Sequence, residues 1–148
     1  MPVYLDTNII VSYVNPRDSL HAEARRLVEE TRRLGHIVSP LVETELFSVY
    51  SRTTGLEGEE LEALVLYSLE EVGARVLRPS CYRLHLEANR LAPLLRLRTL
   101  DLLHVAAAHL LDADMFASFD TEIRKKSRLI EEATGVRVLP PLPARGST

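Results

Sequence analysis

"VYLDTN" spans residues 3–8, and the fold turns on how it is read. An apolar, strand-favouring run stops on an acid, Asp6, and passes at once into Thr7 and Asn8. One reading makes Asp6 the cap of the helix that follows, because a carboxylate satisfies free N–H groups at a helix start. The other makes it a ligand for something bound at the end of the strand. Both predict the same local structure: a strand over 2–6 and a short helix over "TNIIVSYV" (7–14), closed by Asn15-Pro16.

Working outward, the alternation repeats. "SLHAEARRLVEE" (19–30) puts Leu20, Ala24, Leu27 and Val28 at helical spacing with charges opposite, and Gly35 stops it. "HIVSP" (36–40) reads as a strand and "LVETELFSVYSR" (41–52) as a helix. Gly55 and Gly58 bracket a turn before a helix over Glu59–Val72. "ARVLRPS" (74–80) is a strand, and Tyr82–Leu95 is a helix broken near Pro93. "LDLLHVAAAHLL" (100–111) is apolar on nearly every side, so that helix is buried. "MFASFD" (115–120) is a strand, "TEIRKKSRLIEEA" (121–133) one helix, and "VRVLP" (136–140) the last strand. Strands separated by helices imply right-handed crossovers, giving an α/β fold: a mostly parallel sheet of about five strands with helices on both faces. Residues 1–140 form one domain, and 141–148 a Pro-containing tail.

Bulk properties fit that reading. The chain has 148 residues, 46% hydrophobic and 26% charged, enough for one packed core. Its net charge of −3 gives no global attraction to nucleic acid, leaving only a local basic patch to do that work. Cys81 is the single cysteine, so no internal disulfide is available, no Cys/His set has zinc spacing, and a reducing compartment is expected. No apolar run reaches the roughly 20 residues of a membrane span, and the opening residues read as a strand rather than a signal peptide. The location expected is the cytoplasm.

Ligands of open parallel sheets bind outside the carboxyl ends of the strands. Asp6 and Asp120 end strands, Asp101 opens the buried helix, and Glu45 lies in the helix after the second strand. Singly, each aspartate reads as a cap and Glu45 as a surface acid; a helical wheel does not choose between Glu43 and Glu45. Together, acids at one sheet edge would repel one another. A divalent cation with oxygen ligands, Mg²⁺ or Mn²⁺, resolves the repulsion, and the chemistry it suggests is phosphodiester hydrolysis.

"VYLDTN", "ETEL", "RTLDLLHVAAA" and "SFD" stand in the order and spacing of the PIN domain, and the chain resembles the VapC-type toxins of toxin–antitoxin pairs over nearly its whole length. The resemblance implies a Rossmann-like PIN fold and a metal-dependent endoribonuclease whose acidic quartet is Asp6, Glu45, Asp101 and Asp120. It selects Glu45 over Glu43, because the family's glutamate directly precedes a leucine. Asp6 and Asp101 would bind Mg²⁺ or Mn²⁺ directly, Glu45 and Asp120 directly or through water. Asn8 and Ser118 would orient carboxylates or waters; Ser118 stands where threonine is commoner. RNA cleavage leaving a 3′-hydroxyl and a 5′-phosphate, a homodimer, and a cognate antitoxin whose tail fills the acidic groove are further implications.

Other signals are weaker. His104 shares a helix face with Asp101, and reads as a hydrogen-bonded core residue rather than a ligand. Arg98, with Arg96, and the run Arg124, Lys125, Lys126 and Arg128 could contact an RNA backbone; the run could equally be a solvated face paired with Glu131 and Glu132. Aromatics are 5% with no Trp, which argues against a base-stacking platform. A haloacid-type phosphatase would want an Asp where Asn8 stands, a receiver would want an acid on the third strand, and no phosphate-binding glycine motif occurs. A non-catalytic RNA-binding module is the remaining alternative, which loss of one acid would have favoured.

Overall fold

The computed structural model describes residues 1–142. In chain order it forms β1 (Val3–Leu5), α1 (Thr7–Val14), α2 (His21–Thr31), a 3-10 turn (Arg32–Leu34), β2 (His36–Val38), α3 (Pro40–Thr54) and α4 (Gly58–Glu71). Then come β3 (Ala74–Val76), α5 (Cys81–Leu95), α6 (Thr99–Leu110), β4 (Met115–Ala117), α7 (Thr121–Lys125), α8 (Ser127–Thr134) and β5 (Arg137–Leu139). The sheet runs β3-β2-β1-β4-β5, and every pairing is parallel. Of the expected tail, residues 143–148 lie outside the described residues.

The topology positions everything that follows. From β1 the chain steps outward to β2 and β3, then crosses back to β4 and on to β5. Right-handed crossovers put helices from opposite directions of travel on opposite faces. Accordingly α1 packs on α2, α3 and α4, while α5 packs on α6 and α8. The strand order reverses between β1 and β4, which lie side by side with Tyr4 opposite Phe116 and Leu5 opposite Ala117. Every residue of β1, β2 and β4 is buried, as expected of inner strands covered on both faces. The Tyr4 and Phe116 rings stack at 5.2 Å between centroids.

The strands are shorter than their apolar runs. Ser39 leaves β2 to cap α3, accepting from the Leu41 N–H at 3.3 Å, and Pro40 occupies the first helical turn, where its missing N–H is harmless. The run 121–133 is two helices, interrupted at Lys126, whose N–H reaches back only to Ile123 at 3.0 Å. Ile123 and Ile130, seven apart, bury the same face either way, so periodicity does not reveal the break. Pro93 does not break α5. It sits in the last turn between buried Leu91 and Leu95, and the helix ends at Arg96, whose backbone is left-handed (φ 51°) with its N–H on Ala92 O at 3.0 Å.

Phe116 is fully buried on the central strand. Phe116→Ala should lower stability by about 3–5 kcal/mol, seen in urea unfolding as a lower midpoint with an unchanged slope.

Candidate active site

Two backbone hydrogen bonds extend the sheet past its strands and set the site. The Asp6 N–H donates to Ala117 O at 2.9 Å, and the Ser118 N–H to Leu139 O at 2.8 Å. Asp6 and the Ser118–Asp120 loop therefore leave neighbouring strands together, at the point where the strand order reverses. Asp6 is buried at 6% exposure. One of its oxygens accepts from the Thr7 N–H at 2.8 Å, so it does cap α1. The other accepts from the Ser118 hydroxyl at 2.7 Å and from Asn8 Nδ2 at 3.4 Å. Asn8 also accepts from the Phe119 N–H at 3.1 Å, and Ser118 Oγ from the Asp120 N–H at 3.0 Å. Asp120 in turn caps α7, accepting from the Glu122 N–H at 2.8 Å.

The helix acids arrive from opposite faces of the sheet. Glu45 projects from α3, and its Oε1 accepts from Thr7 Oγ1 at 3.0 Å and from His104 Nε2. Asp101 sits on α6, and the capping reading fails for it. Arg98 occupies the cap position without a side-chain bond, and Asp101 accepts no hydrogen bond among the described residues. Asp6, Glu45, Asp101 and Asp120 line one cleft of ≈ 270 Å³, with Thr7, Asn8, Val11 and Val49. Glu43 is not part of it.

The electrostatics are those of crowded carboxylates. Burial, reinforced by the charges of Asp120 and Asp6, pushes the Asp101 carboxyl up to about 6. Burial also raises Asp6, against the opposing pull of His104 and Ser118. Glu45 is partly desolvated, but its hydrogen bond with and the charge of His104 hold it below the usual carboxylate range. Burial alone would lower His104; the bond to Glu45 and the charges of Asp6, Glu45 and Asp101 outweigh it and leave it raised. Among the described residues, no Lys or Arg pairs with any of the four acids. Oxygen atoms of Asp6 and Glu45 and a nitrogen of His104 lie within 4.8 Å of one another. A cleft that gathers four carboxylates with no Lys or Arg paired to them fits a divalent cation, which Asp6, Asp101, Glu45 and Asp120 could hold.

Sequence reasoning placed Asn8 and Ser118 here but missed Thr7, Tyr4 and Ser39. His104 is buried and hydrogen-bonded, as read, yet it reaches the site through Glu45. The basic residues divide. Arg96 and Arg98 line a polar groove of ≈ 650 Å³ with Asp101 and Asp120. Arg124 instead donates to the carbonyls of Pro140 at 3.1 Å and Pro141 at 3.0 Å. Lys125 pairs with Glu122 at 3.5 Å, and Arg128 with Glu132 at 3.1 Å. On the other side of the cleft, Glu45 and Val49 are shared with a largely apolar groove of ≈ 490 Å³ between α3 and the start of α5.

This fold and cleft have relatives. Residues 3–129 match the PIN domain, and the chain belongs to that family. Among solved structures, it is similar to a chain of VapBC2 from Rickettsia felis bound to a promoter DNA fragment, at 18% identity and TM-score 0.65, covering 85% of this chain and 92% of that one. VapBC-1 from nontypeable Haemophilus influenzae matches at 19% identity and TM-score 0.65, covering 93% and 96%. VapC20 from Mycobacterium tuberculosis, a sarcin–ricin loop cleaving toxin, matches at 17% identity and TM-score 0.63, covering 80% and 89%. At such identities the likeness concerns the fold. No protein among those with curated descriptions matches the chain.

A raised carboxyl binds its proton more tightly in the folded state, so its stabilising contribution is complete below 3.8 and is lost as pH rises through about 6. In EDTA, Asp101→Asn should therefore raise the melting temperature, and the gain should grow between pH 5 and pH 7. Wild type at pH 7 should regain stability on adding Mn²⁺, and the variant should regain less; differential scanning fluorimetry reads both.

Proposed function

We propose that this protein is a metal-dependent endoribonuclease that hydrolyses RNA phosphodiester bonds, and that it is the toxin of a toxin–antitoxin pair. The observation that carries the reading is the convergence of Asp6, Glu45, Asp101 and Asp120 on one cleft with no Lys or Arg paired to them among the described residues. Mg²⁺ or Mn²⁺ is the cofactor such an oxygen-only set favours. Held there by the four carboxylates, it would supply water activation and offset charge on the phosphate. The chain's own residues hold the acids: Ser118 and Asn8 fix Asp6, and Thr7 and His104 fix Glu45. Arg98, beside Asp101 and Asp120, meets the RNA backbone. Arg124 and Lys125 are engaged within the chain and contribute less.

The toxin assignment rests on the resemblance to VapC proteins and on the fold shared with VapC20. With it come a cognate antitoxin that occupies the acidic groove, a homodimer and a catalytic domain ending near residue 140. A cytoplasmic setting accords with a single exposed cysteine and with the lack, among the described residues, of a helix long and apolar enough to cross a membrane.

The purified protein should cleave total RNA with Mg²⁺ or Mn²⁺ and not with EDTA. Asp6→Ala should lower the rate on the order of 10²–10³-fold or more, the loss expected when several kcal/mol of metal stabilisation disappear. A folded wild type that binds RNA without cutting it would favour the non-catalytic module. Arg98→Ala should weaken RNA binding and flatten its dependence on log salt by about 0.7–0.9, measured by filter binding across a salt series.

A further inference from the structure

A chain of buried polar groups runs from the acid cleft into the core. His104 is 1% exposed on α6. Its Nε2 meets Glu45 Oε1, and its Nδ1 lies 2.8 Å from the Tyr4 hydroxyl. The Tyr4 hydroxyl lies 2.7 Å from Ser39 Oγ, and Ser39 caps α3, the helix that carries Glu45. The circuit thus closes on itself, linking β1, which leads to Asp6, with α3 and α6, which carry Glu45 and Asp101.

Hydrogen-bond chemistry sets its direction. The Glu45 carboxylate only accepts, so Nε2 donates to it. In the neutral imidazole Nδ1 then accepts, so Tyr4 donates to Nδ1 and Ser39 donates to Tyr4. A charged imidazole reverses the inner links and leaves the donation to Glu45 unchanged. With Thr7 Oγ1 on the same oxygen at 3.0 Å, Oε1 carries two donors, and Oε2 has no partner among the described residues. Both ring nitrogens of His104 are occupied, which sets it apart from a ligand despite its closeness to Asp6 and Glu45.

We infer that His104, backed by Tyr4 and Ser39, is a positioning residue for Glu45, fixing Oε1 so that Oε2 is presented to a divalent cation in the cleft. This rests on the metal-site part of the function proposed above. It also explains why a histidine stands among the buried residues of α6, which are otherwise apolar. Partners behind a metal ligand typically change metal affinity by about 10- to 100-fold.

The test is Mn²⁺ affinity by calorimetry, with the metal-free melting temperature of each variant recorded alongside. His104→Leu should weaken Mn²⁺ binding by about 10- to 100-fold. His104→Gln, whose amide nitrogen reaches as far as Nε2, should recover most of it. Tyr4→Phe, which keeps the stack on Phe116 and loses only the hydroxyl, should weaken binding in the same direction by less, and covers the case in which His104→Leu fails to fold. Val105→Ala, equally buried one residue along α6, should lower the melting temperature and leave Mn²⁺ affinity unchanged. Wild-type affinity in folded His104→Leu or in Tyr4→Phe would overturn the inference, as would a Gln variant as weak as Leu, which would make the ring itself a ligand. A wild type that binds no Mn²⁺ sinks the metal site and this inference together. One that binds Mn²⁺ with this variant pattern but cuts no RNA sinks only the nuclease reading.

Discussion

Carboxylates placed this close together repel. Two unit charges 4.8 Å apart, the limit within which an Asp6 and a Glu45 oxygen lie, cost roughly 3–4 kcal/mol at an effective dielectric near 20. That is a large share of the roughly 5–15 kcal/mol that stabilises a typical domain. The fold relieves part of it through protons: burial raises Asp6, and burial together with neighbouring charge raises Asp101. It relieves another part through donors, since Thr7, Asn8, Ser118 and His104 all direct hydrogen bonds at Asp6 or Glu45. The remaining repulsion makes the cleft attractive to a cation.

Topology explains how the acids come together without any local sequence motif containing all four. β1 and β4 are neighbours in the sheet but over a hundred residues apart, and both end at the same edge. Their following residues are tied by the Ser118 hydroxyl on Asp6 at 2.7 Å and by the Asp6 N–H on Ala117 O at 2.9 Å. Glu45 and Asp101 come from helices on opposite faces that meet past the sheet's edge, where His104 of α6 bonds Glu45 of α3.

Much of this was legible in the sequence, for identifiable reasons. The strand-helix alternation follows from hydrophobic periodicity, and the acids at the strand ends follow from where apolar runs stop. Strand lengths were overestimated because the runs take in residues that leave the sheet: Ser39 turns to cap α3, and beyond Ser118, whose N–H still bonds Leu139 O, the chain turns to the cap of α7 at Asp120. The division between α7 and α8 was invisible because Ile123 and Ile130 keep one face in either arrangement. Asp101 lies near a helix start and so looked like a cap, although its position in the first turn leaves its carboxyl without an N–H to accept from. The partners of Arg124 are carbonyls far along the chain, and the links from His104 to Tyr4 and Glu45 span 100 and 59 positions. No local pattern carries that information.

The groove beside Glu45 has a chemical consequence of its own. Glu45 and Val49 belong both to the acid cleft and to the apolar trough lined by Leu41, Leu84, Pro79 and Leu100. A small molecule with a cation-chelating head and a flat hydrophobic extension could occupy both compartments at once. The chelating head would meet carboxylates alone, whereas the trough offers a shape set by Leu41, Leu84, Pro79 and Leu100. Selectivity in an inhibitor would therefore be built from the extension, with Cys81 at the trough's wall offering a thiol for a covalent anchor.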